Sequence, residues 1–235
     1  MRKKLNRDMQ NYFRLKFIAH SCFKIVFGNF KVVIDPYDQE KLEIEFPANI
    51  EANLVTISHE HFDHSAFHQI SGNPSILRTP VKNLEINDQL TVRSFETLHT
   101  KGIDNLKNII FGFEYKDFKI VHLGDLGILP ESEVINYVKN ADILMIRTGG
   151  RTTLSCDETI ELISILSPKT VLPIHYLVPK LKKYTNDFTT LDKFLEKISK
   201  LNYRLTKLDT HLLDIKPSLF DQKSVIILSP SVNVN

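Results

Sequence analysis

Hydrophobic and polar residues alternate along the first third of the chain in the way that half-buried β-strands require. The alternation runs over residues 15–18, 23–27 and 30–36. A Gly-Asn pair at positions 28–29 separates the second run from the third, and such a pair between strand-like runs indicates a hairpin. Residues 37–51 are polar and acidic and predict a connecting loop.

Strand patterns continue to about residue 123, and helical and strand patterns then alternate. A second hairpin is predicted between residues 109–115 and 118–123, and a short helix between residue 65 and His68. The later elements are predicted as helices over residues 131–139, 157–166 and 188–201 and strands over residues 142–146, 170–174, 203–208 and 225–228. This order indicates a fold of mixed α and β structure with two sheets covered by helices.

The composition is that of an ordinary globular protein, with 235 residues of which 42% are hydrophobic. This length suffices for one well-cored domain, expected over residues 14–235, behind a basic N-terminal tail at residues 1–13. The 30 basic residues nearly match the 28 acidic ones, so the net charge of +2 gives no electrostatic reason to expect a nucleic-acid partner.

No apolar stretch approaches the ~20 residues that a bilayer-spanning helix needs, and the basic start is not followed by a hydrophobic signal core. The expected compartment is therefore the cytoplasm, with no membrane partner. The two cysteines, Cys22 and Cys156, are too few for a disulfide framework, and Cys22 is expected to be a buried thiol.

The densest chemistry lies directly after the apolar run at residues 53–57, where His59, His61, Asp63 and His64 occupy six positions. Imidazole and carboxylate are ligands that zinc, manganese and iron accept, and burying these groups unpaired would be costly. In an extended segment alternate side chains share a face, so His59, His61 and Asp63 are expected to face one pocket and His64 the adjoining side. One loop could thus supply two adjacent ions.

The spacing His59-x-His61-x-Asp63-His64 resembles the signature of the metallo-β-lactamase superfamily of metal-dependent hydrolases. Further positions follow in the superfamily's order, and they are Asp35 after an early strand, His99, Asp125 within Gly124-Asp125-Leu126-Gly127, and His175 within Pro173-Ile174-His175-Tyr176. Segments 19–23, 149–150 and 167–176 are similar to the branch that includes ascorbate-6-phosphate lactonase.

The resemblance implies a four-layer αββα sandwich with two metal ions at the edge between its sheets. It implies that one ion is held by His59, His61 and His99, that the other is held by Asp63, His64 and His175, and that Asp125 bridges them. Asp63 and Asp125 are the expected catalytic residues. Zinc is the first choice of metal, with manganese and iron also compatible. Asp35 is expected to brace the loop by hydrogen bonds without ligating.

Several other residues have two interpretations each. His20, in a turn between strands, is expected to be structural, although it could approach the site. His122 could compete with His99 but is expected to pack in the core, and His68 either supports His64 or faces solvent. Arg147 departs from the relatives, which carry apolar or proline-containing sequence there. It could bind a phosphate or carboxylate, but a surface arginine is the simpler interpretation. Lys101 and Tyr176 adjoin expected ligands without a motif of their own.

The leading hypothesis is a dinuclear hydrolase that cleaves a small ester, lactone or phosphoester metabolite with a metal-bound hydroxide, since two ions can lower the pKa of water from 15.7 towards about 7. One alternative is a phosphodiesterase or ribonuclease of the same superfamily, which would call for a basic groove. Another is a non-catalytic metal-binding module, against which the complete ligand set argues. Relatives commonly form symmetric oligomers, so a homo-oligomer is possible.

Overall fold

The structure, a computed structural model, describes residues 13–101 and 106–235. Within these residues fourteen strands form two sheets, and four α-helices pack against them. The strands are β1 (Phe13–Ala19), β2 (Cys22–Phe27), β3 (Phe30–Ile34), β4 (Leu54–Thr56), β5 (Ser75–Leu77), β6 (Leu84–Asn87), β7 (Leu90–Leu98), β8 (Lys107–Tyr115), β9 (Phe118–His122), β10 (Ile143–Arg147), β11 (Thr170–Ile174), β12 (Arg204–Leu208), β13 (Leu212–Ile215) and β14 (Ser224–Leu228). The α-helices are α1 (Gln39–Leu42), α2 (Ser132–Val138), α3 (Cys156–Leu166) and α4 (Leu191–Ile198). Short 3₁₀ segments span Phe67–Gln69, Pro179–Tyr184 and Pro217–Phe220.

The first sheet has the strand order β13-β1-β2-β3-β4-β5. Strands β1, β2 and β3 pair antiparallel, and the β2–β3 hairpin turns at Gly28, whose φ of 59° suits glycine. Phe27 pairs with Phe30 across this turn, which confirms the predicted hairpin. Strands β4 and β5 then join β3 in parallel. The carboxyl ends of β3 and β4 therefore lie at one edge, where the chain enters the histidine-rich loop.

The second sheet has the order β12-β14-β11-β10-β9-β8-β7-β6. Strands β6 to β9 pair antiparallel, and β8 and β9 form the second predicted hairpin. From β9 to β12 neighbouring strands are parallel. Strands β10 and β11 are buried along their whole length, as expected where both faces of a parallel sheet are covered. The carboxyl ends of β9, β10 and β11 consequently share an edge.

Three hydrophobic clusters fill the space between the layers. One joins the two sheets face to face and includes Phe17 of the first and Phe111 of the second. Another packs Leu162 of α3 and Phe194 of α4 against the second sheet. The third covers the outer face of the first sheet and includes Leu42 of α1. Helix, sheet, sheet and helix thus follow one another, and the predicted α+β sandwich with two mixed sheets is confirmed.

The local predictions differ from the structure in three places. Residues 37–51 are not all loop, because Asp38 caps the short helix α1 by accepting hydrogen bonds from the backbone amides of Glu40 and Lys41. The segment after residue 65 forms only the 3₁₀ turn Phe67–Gln69. Helix α4 is shorter than residues 188–201, because Thr190 caps it.

The basic tail predicted at residues 1–13 lies outside the described residues except for Phe13, which already belongs to β1. None of the helices within residues 13–101 and 106–235 is long and apolar enough to cross a membrane.

Candidate metal centre

The predicted ligands meet at the edge where the ends of β4, β7, β9 and β11 converge. Their donor atoms form two groups, each with all atoms within 4.8 Å of one another, and these are His59, His61 and His99 in one group and Asp63, His64, His175 and His20 in the other. Asp125 lies within the same distance of His59 and His64. The structure therefore brings together all seven ligands that the resemblance implies and adds His20.

The loop after β4 is not extended, and this corrects one part of the sequence interpretation. The backbone amide of His64 donates to the carbonyl of His61 at 3.0 Å, which closes a turn. The turn sends Asp63 to the same side as His64, so the expectation from strand alternation that Asp63 would join His59 and His61 is wrong. The division implied by the family resemblance agrees with the observed groups.

Asp35 braces this loop from beneath. It follows β3 with a left-handed φ of 44° and is fully buried. One carboxylate oxygen accepts from the Ser58 backbone amide at 2.7 Å, and the other accepts from Ser58 Oγ at 2.6 Å and from His64 Nδ1 at 2.8 Å. Asp35 thus fixes His64 with its Nε2 facing the donor cluster, without facing an ion position itself.

The orientation of His59 follows from the same network. Ser58 has one hydroxyl hydrogen, and it is donated to Asp35. The 3.0 Å contact between Ser58 Oγ and His59 Nδ1 therefore needs the proton on the ring nitrogen. His59 Nε2 is left as a lone-pair donor and lies 3.1 Å from Nδ1 of His61. Burial is the largest cause that lowers the pKa of His59 well below its usual value, which keeps the ring neutral for ligation.

Asp125 stands between the two groups. Its Oδ1 lies 3.6 Å from Nε2 of His64, and its Oδ2 lies 3.6 Å from Nε2 of His99 and 3.4 Å from Nε2 of His175. Burial by itself would raise the pKa of Asp125, but the guanidinium of Arg147 and the neighbouring histidines outweigh it and hold the pKa well below its usual range. The bridge position therefore carries a negative charge.

Unpartnered donor atoms test whether the cluster fits metal ions. Among the described residues, His64 Nε2, Asp125 Oδ1 and both ring nitrogens of His99 are buried and make no hydrogen bond. Such groups are costly to bury unless something satisfies them, and a divalent ion accepts both imidazole nitrogen and carboxylate oxygen. The donor set therefore fits metal, and no ligand position is replaced by an apolar residue.

The loop that carries Asp125 is held against the end of β7, which His99 directly follows. The Gly127 amide donates to the carbonyl of Leu98 at 2.8 Å. A Cβ at Gly127 would lie 2.2 Å from the backbone oxygen of His99, so only glycine allows this approach. Asn108 adds a second tie, because its Oδ1 accepts from the Asp125 amide at 3.0 Å.

Comparison with known proteins places this geometry in a family. The model of the β-lactamase superfamily domain matches residues 14–175, which contain every predicted ligand. The chain therefore belongs to the metallo-β-lactamase superfamily. A UPF0173 metal-dependent hydrolase of Natranaerobius thermophilus is 25% identical over 184 residues, which cover 69% of this chain and 83% of the relative.

Solved structures agree with this family assignment. A protein from Thermotoga maritima, assigned as a zinc-dependent hydrolase of the metallo-β-lactamase superfamily, has a TM-score of 0.73 and 26% identity, with 92% of this chain and 98% of that chain covered. A metallo hydrolase from Ignicoccus hospitalis shares the fold with a TM-score of 0.64 at 16% identity, covering 95% of this chain and 97% of that one. The prediction of a metal-dependent hydrolase of this superfamily is confirmed, whereas the lactonase-like branch stays a prediction.

His20 contacts the metallo-β-lactamase ligands more closely than its turn suggested. Its Nε2 lies 3.0 Å from Asp63 Oδ2, and its ring centroid lies 3.7 Å from that of His175. The side chain is completely buried, and its backbone carbonyl accepts from the His175 amide at 3.0 Å. The interpretation of His20 as purely structural is therefore too narrow, because His20 contacts the carboxylate of a predicted ligand.

Arg147 is not a surface residue, and that interpretation is wrong. It ends β10, is 8% exposed, and its Nη1 donates to Oδ2 of Asp125. The sequence did contain a signal, since Arg147 closes a strand whose other four residues are apolar and buried. A charged side chain in that position needs a buried partner.

The remaining candidates lie outside the two donor groups. His122 is buried, accepts from the Gly124 amide through Nδ1 at 3.1 Å and contacts the Ser21 carbonyl through Nε2, which confirms its packing role. His68 is exposed to solvent. Lys101 pairs with Glu158 at 2.5 Å, and burial raises the pKa of Tyr176 to about 12.

Proposed function

We propose that this chain hydrolyses a small ester, lactone or phosphoester with two divalent ions held at the two donor groups, zinc being the first choice. The observation that carries the proposal is the position of Asp125, whose two oxygens face His64 on one side and His99 on the other at 3.6 Å each. A carboxylate shared by two adjacent ligand sets is what a bridged pair of ions requires.

Bound ions would supply a nucleophile at neutral pH and neutralise the charge that develops on the attacked carbonyl or phosphoryl oxygen. The residues of the chain hold and orient this centre. Asp125, with a side chain only 3% exposed, keeps the two sets in register, whereas Asp63 is 13% exposed and is the carboxylate that solvent reaches. We assign to Asp63 the uptake of the proton that is released when the nucleophile forms.

The access to the cluster supports a small-molecule substrate. His61 is the exposed member of its donor group, while His59 and His99 are buried, so the site opens on the side of His61. The segments that resemble the lactonase-like branch favour a lactone or a phosphorylated metabolite as the substrate. The cytoplasmic location and a symmetric oligomer stay predictions.

Metal content and hydrolysis measured on the same preparations test the proposal. Protein purified without an affinity tag or added metal is analysed by elemental mass spectrometry and then assayed with esters, lactones, phosphodiesters and thioesters. Asp125→Ala is expected to keep the fold and lose hydrolysis by about 10³-fold or more, because it removes the shared ligand. Asp117→Asn, in the exposed turn between β8 and β9, is the matched control.

About two ions per chain in the wild type, with activity lost in D125A and kept in D117N, would support the dinuclear assignment. Full activity and normal metal content in D125A would contradict it. Protein that takes up no metal even on reconstitution would contradict the metal-binding assignment itself.

A further inference from the structure

A permanent positive charge lies inside the candidate metal centre. The Nη1 atom of Arg147 donates to Oδ2 of Asp125 and lies 3.5 Å from Nε2 of His175. Both partners are ligands assigned to the second ion, and Asp125 is also the proposed bridge. No comparable cation contacts His59, His61 or His99 among the described residues. Apart from the shared Asp125, the guanidinium therefore contacts a ligand of the second ion position only, through His175.

The surroundings of Arg147 hold the guanidinium in this place. Its Nη2 donates to the backbone oxygen of Asp187 at 3.3 Å, and its Cζ lies 5.3 Å above the ring of Phe188. Gly150 leaves room for it, since a Cβ there would come within 2.8 Å of Nη2. These contacts come from the loops after β10 and before α4, so the position is built by the fold and not by a chance rotamer.

The buried charges show what the guanidinium does. Asp35, Asp63 and Asp125 carry three negative charges into a region where their side chains are at most 13% exposed. With the imidazoles neutral, as ligation requires, one divalent ion together with Arg147 neutralises these carboxylates. A second ion would leave an excess of two positive charges, which is unfavourable in a poorly solvated site until an anion arrives.

We propose that Arg147 makes the two ion positions unequal. An ion at His59, His61 and His99 binds first and tightly, whereas an ion at Asp63, His64 and His175 lies beside the guanidinium that contacts His175 and binds more weakly. This inference rests on the proposed dinuclear function and adds an order of filling to it. It also gives Arg147 a positioning role, because the guanidinium holds Asp125 in place while the second position is empty.

Stepwise metal affinity tests this inference directly. Chelator-treated protein is titrated with Zn²⁺ against a chromophoric chelator at constant pH, and the two dissociation constants are extracted. In Arg147→Met the second equivalent is expected to bind about tenfold more tightly or better, because a like charge a few ångströms from the ion is removed. The first equivalent is expected to change by less than about threefold.

Two further variants separate charge from other effects. Arg151→Met removes the same charge four residues later, where the side chain is 71% exposed and pairs with Asp187, and is expected to leave both constants unchanged. Arg147→Lys keeps a cation and is expected to keep the second equivalent weak. If R147M does not fold without metal, the same constants are obtained by stripping loaded protein with graded chelator.

Tighter second-site binding in R147M, with R151M unchanged, would support the inference. An unchanged or weaker second equivalent in R147M would overturn it, as would two equally tight ions in the wild type, and both results would leave the proposed dinuclear function standing. A wild type that binds no metal would overturn both proposals together.

Discussion

The two halves of the metal centre are held in different ways. The half on the first sheet is fixed by hydrogen bonds on the atoms that do not ligate, because Asp35 and Ser58 orient His64 and His59. The half on the second sheet lacks such partners among the described residues, since Nδ1 of His99 and Nδ1 of His175 make no hydrogen bond there. Close backbone packing and one guanidinium position it instead.

The two sheets therefore organise their candidate ligands by different means, although each donor group takes residues from both sheets. Hydrogen bonds to the outer ring nitrogen fix both the tautomer and the direction of a ligand, so the first half is organised before any ion binds. The second half gains its order from packing and from charge balance. A variant that removes only the hydrogen bonds of the first half, or only the packing and charge of the second, should therefore affect the two halves unequally.

Asp35→Ala should have the largest effect. It leaves the Ser58 amide, the Ser58 hydroxyl and His64 Nδ1 unpaired in the interior, so the free energy of unfolding is expected to fall by about 3 kcal/mol or more. Metal affinity is expected to fall by about 10–100-fold. Thermal unfolding with and without Zn²⁺ and chelator competition measure the two quantities.

Asp38→Ala is the matched control for this variant. Asp38 lies three residues later, caps α1 and pairs with the exposed Lys41 at 3.7 Å, so its loss should cost about 1 kcal/mol and leave metal affinity unchanged. Equal metal affinities in D35A and wild type would show that Asp35 does not organise the ligands.

His20→Asn should have an intermediate effect confined to the second ion position, that of Asp63, His64 and His175. Asparagine tolerates the left-handed φ of 57° at this position but is too short to replace the contact with Asp63. We expect the second metal equivalent to weaken by about tenfold, because a positioned ligand carboxylate is loosened, with the first nearly unchanged. The same chelator titration gives both constants, and equal weakening of both equivalents would contradict the assignment of His20 to the second ion position.

His68→Ala should have the smallest effect, although this histidine follows His64 by only four residues. Its side chain is exposed and belongs to neither donor group. Unfolding free energy should change by less than about 0.5 kcal/mol, with both metal constants unaltered. A marked loss of metal in H68A would require the loop to be arranged differently from the structure described here.

The sequence was sufficient for those parts of the fold that local pattern controls. The β2–β3 hairpin was predictable because residue alternation and the Gly-Asn turn agree, and β11 because its apolar run ends at a histidine. The helix predicted for α4 began too early. Phe188 is spaced as a helical residue would be, but it forms a β-bridge with Gly150. Strand β13 was missed because its partner β1 lies about 200 residues away in the chain.

The same distinction applies to the site. Spacing and family order predicted the seven candidate ligands, which the structure brings together, but the turn at His61 to His64 decided which of them share a group. His20 contacts Asp63, and Arg147 contacts Asp125, across distant parts of the chain. The pattern of hydrophobic and polar residues does not predict contacts of this kind. A charge at the end of a buried strand was the only local sign of Arg147.

The contact at Gly127 has a consequence for how this protein can vary. His99 and Asp125 follow different strands, β7 and β9, yet the backbone of His99 lies so close to the α-carbon of Gly127, two residues after Asp125, that no side chain fits between them. Every substitution at residue 127 therefore moves a ligand, even though residue 127 offers no donor atom. We expect this glycine to be as intolerant of replacement as the histidines, while the rim around His61 can change to suit different substrates.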